Sequence, residues 1–244
     1  MGKTIVITGS GDGLGRAVAR RFAKDGDTVI LLGRTLSKVE AVAAELGAPH
    51  YALQCDVTSS ESVDAAFAEI AKRHSRIDVL INNAAIYEPF TLAEVKDEQL
   101  MVQIMTNLVG PIFCARAALP LLRGHGHIIN VSSESVHLKM PLMWMYAGSK
   151  AALEFVSEEW ERELQPEGVR VTVVRAGAMF DETKSGTSWP VDVAMRFMQE
   201  NAKVGLSPRE RPISHFNSVT DVFRAVVDMP ADLHMRLVSI CARR

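Results

Sequence analysis

Short runs rich in β-branched residues alternate along this chain with longer stretches whose apolar positions recur at helical spacing. The runs cover residues 4–8, 28–32, 51–55, 79–82, 127–131, 169–174 and 237–240. Each is too short for a buried helix, so the pattern predicts seven strands. Helices are expected over 14–25, 36–46, 60–74, 98–122, 146–164 and 219–228. The strand runs are apolar at successive positions, which means both of their faces are buried, as in a parallel sheet covered by helices on each side. Strictly alternating strand and helix then implies one doubly wound α/β domain over residues 1–244.

One stretch breaks the alternation. Residues 176–216 carry Gly186, Pro190, Gly205, Pro208 and Pro212 around a helical pattern near 191–201. A long irregular segment inside a compact domain is usually functional, so it reads as a substrate lid with Trp189, Met195, Phe197 and Met198 as candidate contacts.

Composition narrows the classes. With 244 residues and 48% hydrophobic content, the chain can fill one full core. A formal charge of -2 without a basic tract gives no reason to expect nucleic acid or an anionic membrane as partner. Cys55, Cys114 and Cys241 are odd in number and widely spaced, which suits neither a disulfide framework nor zinc and points to a cytoplasmic setting. No apolar run in the sequence is read as the ~20-residue span of a membrane helix. His125 and His127 lack acid or thiol companions, so no metal site is expected there.

The first candidate chemistry is the glycine loop Thr8-Gly9-Ser10-Gly11-Asp12-Gly13-Leu14-Gly15, which joins the first strand to a helix. Gly9, Gly11, Gly13 and Gly15 let the backbone approach a pyrophosphate seated at the positive end of the helix that starts near Leu14. The second strand ends Gly33-Arg34-Thr35, without the acid that would bind an NAD ribose. Arg34 and Thr35 instead suit a 2′-phosphate, which favours NADP(H); Asp12 opposes that charge and keeps NAD(H) as the alternative.

The second is Tyr146-Ala-Gly-Ser-Lys150, a tyrosine and a lysine one helical turn apart. The lysine charge is expected to lower the tyrosine pKa from its ordinary ~10 and fit it for proton exchange with an alcohol or carbonyl oxygen.

With Asp56-Val57, Asn82-Asn83-Ala84-Ala85, Asn107 and Ser132-Ser133 falling in order between these two motifs, the chain resembles the short-chain dehydrogenase/reductase family over nearly its whole length. The resemblance implies a seven-stranded Rossmann-type sheet. It also implies that Asp56 and Val57 meet an adenine, that Asn83 and Ala84 lie beside the cofactor, and that Gly177 and Met179 belong to the same binding site. Ser133 would bind the substrate oxygen, Tyr146 exchange the proton, and Lys150 hold the nicotinamide ribose. Asn107 would anchor a proton-carrying water.

Three departures stand out. Ala176 replaces a proline usual in the family, and Asp181 stands where a carboxamide-binding threonine is expected, with Thr183 as a substitute. Glu134 follows the serine where small or apolar residues are usual, either pointing to water or meeting a cationic substrate. Met140, Met143, Trp144, Met145 and Met179 offer an apolar wall for a partly apolar ketone or alcohol.

The expected activity is therefore NADP(H)-dependent interconversion of a carbonyl and a secondary alcohol. The alternatives are a 3-oxoacyl-thioester reductase, with Arg209 and Arg211 as candidate anion contacts, and a non-catalytic nucleotide-binding sensor or scaffold. Apolar residues on several faces of helices 98–122 and 146–164, including Met101, Ile104, Met105, Phe113, Phe155 and Trp160, predict a homodimer or homotetramer.

Overall fold

The computed structural model describes residues 2–180, 187, 189–230 and 232–243. Asp181 and Thr183 lie outside the described residues.

In chain order the elements are β1 (Thr4–Thr8), α1 (Gly13–Lys24), β2 (Thr28–Gly33), α2 (Leu36–Leu46), β3 (Tyr51–Gln54), α3 (Ser60–Arg73) and β4 (Val79–Asn82). There follow α4 (Asp97–Ile104), a π-helical turn (Met105–Val109), α5 (Gly110–Leu122), β5 (His127–Ser133), the short α6 (Ser135–Leu138) and α7 (Trp144–Leu164). The chain continues through β6 (Arg170–Ala176), β7 (Met179–Phe180), α8 (Val191–Lys203), β8 (Ser214–His215), α9 (Phe216–Val227) and β9 (Leu237–Ser239). All seven expected strands form, in the order β3-β2-β1-β4-β5-β6-β9, and every described pairing is parallel.

Strand alternation divides the core between the two faces. Ile5 and Ile7 of β1 pack under α1, α2 and α9 with Val18, Phe22, Val39 and Phe223, while Val6 between them meets Phe67 and Ile70 of α3 and Ala118 of α5 on the other face. Burying both faces explains why the strands read as unbroken apolar runs.

The expected helix over 98–122 forms as α4, the π turn and α5. Asp97–Leu122 is long and apolar enough to cross a membrane by length and composition, contrary to the expectation from the sequence. That test is also met by a helix covering a sheet, and Cys114, Ala118 and Leu122 are fully buried in this one. Two short elements were not expected: the β7–β8 pair at Met179–Ser214 and Phe180–His215, and α6 directly after β5.

Strand order reverses between β1 and β4, so the connections leaving their carboxyl ends diverge to opposite faces and open a crevice. The glycine loop, Asn83, Ser133 and Ala176 all stand at that edge of the sheet.

Candidate active site

The glycine loop is held open by close approach. Gly9 has φ +64°, and a Cβ there would lie 2.8 Å from Ala84 Cα, so the loop and the end of β4 touch backbone to backbone. Thr8 Oγ1 accepts from Asn83 N at 3.0 Å and Ala84 N at 3.1 Å, and Asn83 Nδ2 donates to the carbonyls of Thr8 and Gly9. Asp12 caps α1, its Oδ1 accepting from Gly13 N at 2.7 Å, with the Arg16 guanidinium 4.0 Å away.

These groups border a cavity of about 850 Å³. Gly9, Asp12, Gly13, Leu14, Arg34, Asp56, Val57, Asn83 and Ala84 line one part of it; Ser133, Tyr146, Lys150, Gly177 and Met179 line another. Gly11, Gly15, Thr35 and Asn107 are not in its wall. Gly11 is small because α2 packs on it, with Lys38 Cβ 2.9 Å from where its own Cβ would stand, and Gly15 lies against Gly9 O and Asn83 Nδ2. Thr35 is exposed at the start of α2.

Asn107 sits in the π turn, fully buried. Its Oδ1 accepts from Ile86 N at 2.9 Å, and its Nδ2 donates to Ile86 O at 2.8 Å and Ser149 Oγ at 3.1 Å. Both amide hydrogens are spent, so the side chain braces Ile86 and, through Ser149 Oγ donating to Tyr146 O at 2.7 Å, the first turn of α7.

Tyr146 and Lys150 differ from expectation. Lys150 Nζ donates to Val131 O at 2.7 Å, and burial lowers its pKa to about 8 against the pull of Glu154. Burial pushes the Tyr146 phenol up to about 12, Tyr87 and Glu134 adding to the rise, while a hydrogen bond with Ser133 opposes it. The expected lowering by Lys150 does not appear: burial dominates at Tyr146, and the ammonium donates to the strand carbonyl of Val131.

Beneath this pair lies a buried ion pair not anticipated from the sequence. Glu154, one turn beyond Lys150, accepts from Arg175 Nε at 2.9 Å and Nη2 at 2.6 Å, and from Ser132 Oγ at 2.5 Å. It ties α7 to β5 and β6 directly below Ser133. The signal was Arg175 following the apolar Val173 and Val174 inside β6, where a charge requires a partner.

The segment expected to form a lid borders the cavity at Trp189, Phe197 and Met198, whereas Met195 is exposed. Aromatic contacts run outward from Tyr146 to Tyr87 (5.7 Å between centroids), Trp189 (5.4 Å) and Phe197 (5.2 Å). No motif pointed to Tyr87. Trp189 Nε1 donates to Tyr87 O at 3.0 Å and Arg196 grips Glu94 with two bonds of 2.8 Å, so the segment is fastened at both sites. Met140, Met143 and Met179 line the cavity; Trp144 instead packs on Phe90, and Met145 is outside the wall. Glu134 neither points to water nor stands alone: Arg211 Nη2 donates to its Oε1 at 2.6 Å.

His125 and His127 face different partners. His125 bonds the carbonyls of Arg123 and Ile77, and His127 Nε2 lies 2.8 Å from Thr172 Oγ1.

A glycine loop, a serine, a tyrosine and a lysine thus converge on one crevice, and a family model described as short chain dehydrogenase matches residues 3–189. The chain belongs to the short-chain dehydrogenase family. Among relatives of this dehydrogenase, serine 3-dehydrogenase of Agrobacterium fabrum is 36% identical over 181 residues, covering 72% of each chain. The 3-oxoacyl-[acyl-carrier-protein] reductase of Bos taurus is 31% identical over 230 residues, 93% of this chain and 90% of its own. Among solved structures, an alcohol dehydrogenase from Thermococcus sibiricus complexed with 5-hydroxy-NADP superposes with a TM-score of 0.83 at 24% identity, covering 99% of this chain and 97% of that one. Residues 190–244, which include α8 and Arg211, lie beyond the family match.

Proposed function

We propose that this dehydrogenase interconverts a carbonyl and a secondary alcohol with NADP(H), with Tyr146 as the acid and base. The observation that carries the reading is the placement of Ser133, Tyr146 and Lys150 in the wall of the cavity that Gly9, Gly13 and Arg34 also line.

The residues fit a dinucleotide. The positive φ of Gly9 and Gly13 turns the loop at the N-terminus of α1, where backbone N–H groups suit a pyrophosphate. Asp56 and Val57 border the space for an adenine. Arg34 is exposed at the end of β2 with no acid beside it in sequence, which supports NADP(H) over NAD(H); Asp12 is turned to capping α1, which weakens its opposition. When bound, the nicotinamide supplies or accepts the hydride.

The chain's own residues handle the oxygen and its proton. Ser133 and Tyr146 both donate to the substrate oxygen and stabilise the charge that develops on it. With its pKa near 12, Tyr146 is held as the neutral phenol, the form needed to protonate the more basic alkoxide of a reduced carbonyl. Lys150, one helical turn on from Tyr146 in the cavity wall, would hold the nicotinamide ribose. Asn107 acts by position, fixing Ile86 and the start of α7.

The test is a fluorescence titration of NADPH and NADH into the purified protein, followed by a carbonyl panel. Tight NADPH and weak NADH binding is expected. Tyr146→Phe should keep nucleotide binding and lose about 10²- to 10⁴-fold in kcat. Near-normal turnover in that variant would overturn the assignment.

A further inference from the structure

The lid side of the cavity is largely apolar and holds an ion pair. Tyr87, Met140, Met198 and Ile213 line it, and Arg211 meets Glu134 among them with side-chain exposures of 18% and 17%. Glu134 directly follows Ser133, and its backbone N–H donates to Ala176 O at 2.9 Å, so its main chain is fixed beside the serine.

Among the described residues, the cations in the cavity wall are Arg34, Lys150 and Arg211. Lys150 donates to Val131 O. Arg34 follows β2, three strand spacings from β5, or roughly 14 Å. Arg211 is therefore the guanidinium at the substrate end. Among the described residues its single hydrogen bond is the one to Glu134, which uses one of five N–H donors. None of its nitrogens is buried without a partner, so the remaining N–H groups open to the cavity and are available to an acceptor.

We propose that Arg211 recognises a carboxylate on the substrate, so that the enzyme acts on oxo acids and hydroxy acids with an apolar or aromatic body. This rests on the oxidoreductase reading of the same cavity. A planar guanidinium can hold Glu134 through one N–H and offer a fork to a second carboxylate, whereas an ammonium in the same place would face the positive charge of Arg211. Glu134 orients the arginine. Arg211 also lies outside residues 3–189, which the family model matches.

The experiment compares 3-hydroxy acids with their methyl esters, which share a skeleton and lack the charge, using the full chain and NADP⁺. The ratio of kcat/KM for acid over ester is expected to be about 10 to 100, the value of a charged hydrogen bond, and to collapse toward one in Arg211→Met. Glu134→Gln, which removes the competing carboxylate, should hold or raise it. A wild-type ratio of one or less overturns the proposal. So does an Arg211→Met variant that loses acid and ester activity equally, since that would make the pair a strap for residues 206–213.

Oxidation of neutral alcohols without acids defeats the carboxylate proposal alone; turnover of no alcohol with either nucleotide defeats the oxidoreductase reading. In that second case thermal melting decides. 3-Hydroxy-3-phenylpropanoate should raise the melting temperature of wild type and not of Arg211→Met, and equal behaviour of the two overturns the proposal.

Discussion

Glu154→Ala removes the acceptor of three hydrogen bonds and leaves the Arg175 guanidinium, 9% exposed, without a counter-charge beneath α7. Breaking a buried pair from one side costs about 3–5 kcal/mol, because the remaining charge stays desolvated. For a domain of this size each kcal/mol moves the melting temperature by roughly 2–4 °C, so a fall of about 6–20 °C is expected. Urea unfolding followed by circular dichroism and by tryptophan fluorescence measures the same loss independently. The double variant Glu154→Leu/Arg175→Met removes both charges and should recover most of the stability, since an apolar replacement carries no desolvation cost. A fall of less than about 2 °C in Glu154→Ala, or a double variant no better than the single one, would refute the reasoning. Glu154→Gln carries the functional consequence. Glu154 is the charge that holds the buried Lys150 pKa up, so its neutralisation should move any activity limb set by that lysine to lower pH.

Three other outcomes follow from the structure. Burial lowers the His127 pKa from 6.5 to about 3, so its contribution is complete above pH 6.5 and is lost as pH falls towards 3; by pH 4 roughly 3 kcal/mol should be gone. Urea midpoints at pH 7 and pH 4 should therefore differ less in His127→Leu, where Thr172 keeps its bond to Met235 O at 2.7 Å. Phenolate absorbance without added nucleotide should emerge from Tyr51 and Tyr146 only near pH 12, because burial raises both, and Tyr146→Phe should remove one of these late steps. Phe155 and Met101 are 66% and 58% exposed on α7 and α4, which supports the proposed homo-oligomer. Light scattering should show a multimer that Phe155→Asp shifts towards monomer, and a wild-type monomer at micromolar concentration would count against it.

Strand and helix alternation, the glycine turn and the tyrosine–lysine spacing were legible in the chain alone because each depends on residues near in sequence. Period-two burial of both strand faces makes apolar runs, a positive φ selects glycine, and an i,i+4 pair shares a helical face whatever surrounds it. β3, with its partly buried Tyr51–Gln54, and the edge strand β9 still took their predicted places, since the parallel order follows from the crossovers. Tertiary structure decided what depends on distant partners. Thr8 could not be paired with Asn83, nor Glu154 with Arg175, nor Glu134 with Arg211, until the fold brought them together across 75, 21 and 77 residues of chain. The Tyr146 phenol was decided in the same way: spacing placed a lysine beside it, but burial, a product of packing, pushes its pKa up.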